Sequence, residues 1–247
     1  AFQDRSNTVQ YRYLGRSGLQ VSTIGLGTNR FGGKVDQAGV NSIIDAAIDL
    51  GINLIDTADV YTEGNSEITL GEALKGKWHK VILATKGFNA TGTGPNDKGA
   101  SRHHLIAAVE DSLRRLQSDH IDLYQMHRYD DATPIEETLR ALDDLVRSGK
   151  IRYIGASNYM AWQLARANLL AEFNHWTPFI SIQNHYHMFE RELEHEVLPF
   201  CAAHQVGILL DTPRLAEIAE LRAMVALAGL RRAAQLRQHQ HGNPQLL

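Results

Sequence analysis

The stretch Asn53–Tyr61 (NLIDTADVY) puts a carboxylate, Asp56, where an apolar run stops, and a phenol, Tyr61, five positions later. Other apolar runs end in a similar way. Val81–Thr85 runs into Lys86, Ile121–Met126 into His127, Ile151–Ala156 into Ser157-Asn158, and Phe179–Ile182 into Gln183-Asn184. Taken singly, such an Asp is commonly a turn or cap residue, such a Lys is solvated, such a His belongs to a core, and such a Tyr packs a wall. Taken together they fall in phase with the runs, and their chemistry is complementary. A free phenol, with a pKa of about 10, is a poor proton donor near neutrality. A neighbouring ammonium favours the phenolate and lowers that pKa, and a buried ammonium in turn needs a carboxylate to stay charged. Asp56, Lys86 and Tyr61 supply that chain of dependence. His127 can hydrogen-bond a carbonyl oxygen and help place the proton. The set suits protonation of an oxygen on which negative charge builds, as in carbonyl reduction by hydride. Ser157, Asn158 and Gln183 are uncharged hydroxyl and amide groups suited to holding a carboxamide.

For these groups to meet, the runs must be parallel strands whose C-terminal ends share one face. Tyr11–Leu14 and Gln20–Val21, joined across Arg16-Ser17-Gly18, read as a hairpin. Strands are then expected at Val21–Gly27, Asn53–Ala58, Val81–Thr85, Ile121–Met126, Ile151–Ala156, Phe179–Ile182 and Val206–Leu210. Helices alternate with them: Asp36–Leu50, Ser66–Leu74, one capped by Ser101, one from Pro134 towards Gly149, Trp162–Phe173 and Leu193–His204. Seven strand–helix units with short connections imply a parallel sheet with right-handed crossovers. The absence of G-x-G-x-x-G after the first strand counts against an open dinucleotide-binding sheet, and the expected fold is a (β/α)8 TIM barrel. Active sites of such barrels lie at the C-terminal ends of the strands, and their loops carry substrate contacts, here Asn89–Gly99. Phe31, Phe88, Tyr129 and Tyr159 are pocket candidates by position alone. The whole of 1–247 is expected to form one barrel domain, with 1–8 a flexible leader. After Leu210 the text passes through a helix-like Leu215–Leu221 to a short strand candidate, Met224–Leu230. It is too short there for a full strand–helix–strand unit, which suggests missing segments near 211–214 and 222–224.

The chain has 247 residues, a net charge of -3 and one cysteine. That charge gives no sign of a nucleic-acid surface. A single cysteine, Cys201, excludes a disulfide within the chain and fits a core residue in a reducing compartment. No apolar run is long enough for a membrane span, so the expectation is a cytoplasmic protein with small-molecule partners, no nucleic acid and no membrane.

The residues quoted above resemble the aldo-keto reductase superfamily. The matching stretches are Leu14–Leu19 (LGRSGL), Gly25–Thr28 (GLGT), Asp56–Tyr61 (DTADVY), Ala84–Lys86 (ATK), Asp122–His127 (DLYQMH), Gly155–Asn158 (GASN) and Gln183-Asn184. The resemblance implies a catalytic set of Asp56, Tyr61, Lys86 and His127, with Tyr61 as general acid/base. It implies nicotinamide-cofactor contacts at Thr28, Asp56, Ser157, Asn158 and Gln183. Residues 229–239 (GLRRAAQLRQH) resemble the segment that binds the 2′-phosphate and adenine, implying Arg231, Gln235 and His239 as contacts and NADP in preference to NAD. The loop that the superfamily folds over the pyrophosphate after the seventh strand is missing from this text.

Three other classes compete. Twelve histidines, with His185 and His187 as H-x-H, raise a metal-dependent barrel hydrolase. A central lysine and tyrosine fit that poorly, so no metal site is expected. A cofactor-binding partner or sensor protein like the potassium-channel β-subunits would keep the same four residues. A Schiff-base aldolase using Lys86 is opposed by Asp56, which keeps the lysine charged.

Overall fold

The computed structural model describes residues 9–211. The chain begins with an antiparallel hairpin, β1 (Tyr11–Tyr13) and β2 (Gln20–Ser22). Seven strands follow: β3 (Gly25–Gly27), β4 (Leu54–Asp56), β5 (Ile82–Gly87), β6 (Ile121–Met126), β7 (Ile151–Ser157), β8 (Ser181–His185) and β9 (Gly207–Asp211). They form one sheet in strict sequence order, and each pairing from β3 to β8 is parallel. The helices between them are α1 (Gln37–Asp49), α2 (Asn65–Ala73), α3 (Arg102–Leu116), α4 (Ile135–Arg147), α5 (Ala161–Phe173) and α6 (Val197–His204). Consecutive parallel pairing with a helical crossover each time is the (β/α)8 pattern, of which seven strands lie among the described residues.

Local sequence explains the helix ends. The Asp36 carboxylate accepts from Gly39 N at 2.9 Å and opens α1. The Ser101 hydroxyl accepts from His104 N at 3.2 Å and opens α3, satisfying amides that a helix start leaves unpaired. Helix α6 begins at Val197, later than the expected Leu193. Pro199 is the reason: proline is tolerated only in the first turn, where no N–H is needed. A separate short turn, Glu192–Glu194, precedes it.

The expected first strand, Val21–Gly27, divides in two. Ser22 N donates to Asn53 Oδ1 at 2.7 Å and Asn53 N to Ser22 Oγ at 3.1 Å, while Thr23 N bonds Gln10 O. These bonds tie residues 22–23 to the hairpin and to the start of β4, leaving only Gly25–Gly27 for the sheet. The hairpin then packs Leu14, Leu19 and Val21 against Leu54, Ala84, Leu123 and Ile180, forming an apolar layer on one face of the sheet. Gly15 (φ 59°) is required at that contact, because a Cβ there would lie 2.4 Å from Ile180 O.

Among the described residues, 185–191 with 210–211 form a small unit of their own. In it Tyr186 N donates to Asp211 O at 3.0 Å, and His187 and Glu190 exchange backbone bonds. The His185 and His187 rings meet edge-on at 5.0 Å. No group of three or more His, Cys, Asp or Glu among the described residues is placed to share a metal ion. Helices among the described residues are too short or too polar to cross a membrane. Cys201 is buried and burial pushes its thiol up to about 11, so it is a core residue. The 1–8 leader, the 222–224 junction and the expected helix and strand beyond Thr212 lie outside the described residues, and the 211–214 junction begins at the last of them.

Candidate active site

Period-two alternation places the site. The side chains of the apolar layer occupy one parity: Leu54 in β4, Ala84 in β5, Leu123 in β6 and Tyr153 in β7. Two residues further on, the same face carries Asp56, Lys86 and Gln125. Residues 127 and 157 continue that parity in β6 and β7, and Gln183 follows Ser181 in β8. Parallel register aligns them: Asp56 pairs Ala84, Lys86 pairs Gln125, Gln125 pairs Gly155 and Ser157 pairs Gln183. A polar layer therefore sits directly on the apolar one. Lys86 and Gln183 lie inside their strands, and not just past them as the sequence implies.

Lys86 is only 2% exposed. Its ammonium donates to Asp56 Oδ2 at 2.6 Å, to Thr57 O at 3.0 Å and to the Tyr61 hydroxyl at 3.4 Å. Burial pushes its pKa down, but Asp56 and Tyr61 outweigh this and hold it above the usual lysine range. Asp56 accepts further bonds from Gln125 Nε2 at 3.2 Å and Gln183 Nε2 at 3.3 Å, while Gln125 Nε2 also reaches Gln183 Oε1 at 3.1 Å. Gln125 is fully buried, and its Oε1 has no hydrogen-bond partner. Sequence reasoning passed over it, because an uncharged residue inside a strand looks like filler; its parity with His127 was the available signal.

Tyr61 is presented by a kinked turn, Tyr61–Gly64. Thr62 (φ 53°) and Glu63 (φ 57°) are both left-handed there, at a cost of roughly 1–3 kcal/mol each for non-glycine residues. Tyr61 N bonds Ala58 O at 3.1 Å, and Asn65 Nδ2 bonds Thr62 O at 2.9 Å. The ring stands edge-on to His127, centroids 6.1 Å apart, with the Lys86 ammonium 5.1 Å from its centre.

His127 continues the β6 ladder through its N–H to Gly87 O at 3.0 Å. Burial, with Lys86 and Arg128 adding to it, pushes its pKa down to about 4, so the ring is neutral at physiological pH. Asn89 Nδ2 lies 3.0 Å from His127 Nδ1, a contact that reading the 89–99 segment as a loop did not single out. The preceding residue, Phe88, is held at φ 150°, with its carbonyl bonded by Gly99 N at 2.7 Å.

The remaining expected residues have distinct surroundings. Thr28 is fully buried; its hydroxyl donates to Asp56 O at 3.0 Å and lies 3.0 Å from Ser66 Oγ, tying β3, β4 and α2 together. Asn158 is left-handed (φ 56°), with its N–H bonded to Gln183 O at 3.0 Å. Its Nδ2 donates to His127 O at 3.1 Å and to Ser157 Oγ at 3.0 Å, which leaves Oδ1 as the uncommitted amide atom. Ser157 thus keeps a hydroxyl proton, Gln183 an amide proton and Asn158 an acceptor. That donor set is complementary to a carboxamide, which accepts through its oxygen and donates through its nitrogen, so these residues fit the nicotinamide end of a cofactor. Arg231, Gln235 and His239 lie outside the described residues. Among the aromatic pocket candidates, Phe31 and Tyr159 are buried, and Tyr159 packs edge-on against Tyr129 and Phe179.

Behind Lys86, on the helix-facing side of the sheet, lies a second polar cluster that sequence reasoning missed. Glu67, in the first turn of α2, is fully buried. It pairs with Arg115 at 2.7 Å and accepts from Thr85 Oγ1 at 2.6 Å. Asp59 N bonds Lys86 O at 3.0 Å, but neither Asp59 carboxylate oxygen has a hydrogen-bond partner. Burial first, and the charge of Glu67 second, push Asp59 up to about 7. Gly87 makes room for Tyr124, since a Cβ there would lie 1.9 Å from the Tyr124 hydroxyl.

A buried lysine tied to a carboxylate and a phenol thus lies beside a neutral imidazole at the strand ends of a (β/α)8 pattern. The chain belongs to the aldo/keto reductase family, whose model matches residues 23–213. It is similar to the Uncharacterized oxidoreductase YrpG of Bacillus subtilis (strain 168), 39% identical over 237 residues, covering 91% of this chain and 72% of that protein. It is also similar to the versiconal hemiacetal acetate reductase of Aspergillus parasiticus, 38% identical, with 83% of this chain and 67% of that protein covered. A probable voltage-gated potassium channel subunit beta of Arabidopsis thaliana is 38% identical, with 83% and 64% covered. The chain spans about two thirds of the length of these relatives.

Proposed function

We propose that this chain is an NADPH-dependent oxidoreductase that reduces an aldehyde or ketone to an alcohol, with Tyr61 as proton donor. The observation that carries this reading is the buried Lys86 ammonium shared between Asp56, at 2.6 Å, and the Tyr61 hydroxyl, at 3.4 Å. Bound NADPH supplies the hydride. Tyr61 gives its proton to the carbonyl oxygen, and Lys86 stabilises the phenolate that remains, while Asp56 keeps Lys86 charged. His127, neutral, hydrogen-bonds the same oxygen without competing as a strong acid. Ser157, Asn158 and Gln183 would hold the carboxamide and so orient the nicotinamide. Arg231, Gln235 and His239 are proposed to hold the adenine and 2′-phosphate, which is the basis for NADPH over NADH. The compartment proposed is the cytoplasm.

The test follows NADPH oxidation with 4-nitrobenzaldehyde in the unaltered chain and in Tyr61→Phe. The expected result is a rate loss of about 10²–10⁴ in the variant, the scale of a general acid, with NADPH binding kept. Equal rates would remove Tyr61 from the chemistry. A second reading, a cofactor-binding partner or sensor protein, is favoured by the similarity to the Arabidopsis channel subunit. It predicts tight NADPH binding with no turnover in either protein.

A further inference from the structure

His127 is neutral, so its single ring proton sits on either Nδ1 or Nε2, and the two tautomers offer opposite chemistry to a bound oxygen. Nε2–H donates to a carbonyl; bare Nε2 repels it. The group that decides is the one facing Nδ1. Asn89 Nδ2 lies 3.0 Å from it, and an amide nitrogen can only donate, so Nδ1 must accept and the proton goes to Nε2. Nε2 has no partner of its own among the described residues. Both sides of the contact are fixed by backbone bonds. His127 is held through its N–H to Gly87 O and through Asn158 Nδ2 to its carbonyl. Asn89 follows Phe88, whose unusual φ of 150° and bond from Gly99 N set the direction in which the chain leaves β5.

We propose that Asn89 is a positioning residue that locks His127 as the Nε2–H tautomer, so that the imidazole presents a donor to the carbonyl oxygen. The proposal rests on the reductase reading for its consequence, but not for its test.

The test is a long-range ¹H–¹⁵N spectrum of protein labelled at its histidine rings. His127 is assigned by the signals that vanish in His127→Gln, since the chain has 12 histidines. At pH 7 the unaltered protein should show His127 with Nδ1 bare and Nε2 protonated. Asn89→Asp keeps the shape but replaces the donor with an acceptor, and should move the proton to Nδ1 or protonate both nitrogens. Asn89→Ala should give a mixture of the two tautomers. In turnover, both variants should lose about tenfold or more in kcat with NADPH affinity unchanged, on the scale of a weakened hydrogen bond to a developing oxyanion. An Nδ1–H tautomer in the unaltered protein, or an unchanged His127 tautomer in both variants, overturns the proposal. If no carbonyl is reduced by the unaltered protein, the reductase reading falls, and the spectrum still decides the role of Asn89.

Discussion

Asp56→Asn changes one oxygen to a nitrogen, yet among the described residues it removes the only carboxylate within salt-bridge reach of the buried Lys86. At 2.6 Å and an effective dielectric of about 20, that attraction is worth roughly 6 kcal/mol. Part of it is offset in the native state by the desolvation of both groups, Asp56 being 17% exposed at the side chain. Removing one member of a buried pair is therefore expected to cost about 3–5 kcal/mol, a large share of the 5–15 kcal/mol that holds a typical domain. The asparagine amide would also face the Gln125 and Gln183 Nε2 groups, which now donate to the carboxylate. The pH dependence has a definite sign. With Asp56 present the Lys86 pKa is raised, so its contribution is fully present below the unfolded value of about 10.4 and is lost only as pH rises through the folded value. Without Asp56, burial acts largely unopposed and the folded pKa falls below 10.4. Stability of the variant should then recover towards the unaltered protein as pH rises towards the unfolded value of about 10.4. Urea unfolding at several pH values measures both effects. Asp56→Asn combined with Lys86→Met should be more stable than Asp56→Asn alone, because the stranded charge is gone. A loss under about 1 kcal/mol, a gap that does not change with pH, or a double variant no better than the single one would refute the reasoning.

Two further outcomes follow from the cluster behind Lys86. The folded protein holds the Asp59 proton more tightly than the unfolded chain, about 7 against an ordinary 3.8. That contribution is fully present below pH 4, is lost as pH rises through 7, and amounts to something on the order of 4 kcal/mol. Asp59→Asn should therefore gain on the unaltered protein as pH rises from 5 to 8 in urea unfolding, and parallel curves would show that Asp59 does not hold a proton. Arg115→Met strands the fully buried Glu67 and should cost about 3–5 kcal/mol, whereas Glu67→Gln with Arg115→Met should regain part of it. Equal Tm values for the two variants would contradict an ion pair of that kind.

Much of the site was legible because Asp56, Lys86 and His127 interrupt or end apolar strands, where an ionisable group has few structural uses. Strand–helix alternation carried the sheet order in the same way. What escaped has physical causes. Gln125 is uncharged and lies within a strand, so neither hydropathy nor a strand end marks it. Asn89 sits in a segment without periodicity, and only the turn at Phe88 aims it at His127. Glu67 looks like a favourable acidic residue in a helix first turn, and nothing local reveals that Thr85 and Arg115, far along the chain, enclose it. The break at residues 22–23 depends on Asn53, thirty residues on, and the late start of α6 turns on one proline.

The central claim, that hydride moves from a nicotinamide to a carbonyl carbon while Tyr61 protonates the oxygen, is tested most directly with NADPH deuterated at C4. Each of the two C4 epimers is incubated with 4-nitrobenzaldehyde, and the alcohol is weighed by mass spectrometry. The account predicts one deuterium on the carbinol carbon from one epimer and none from the other, with product strongly reduced in Tyr61→Phe. Alcohol without deuterium from either epimer, or equal product from Tyr61→Phe, would contradict it.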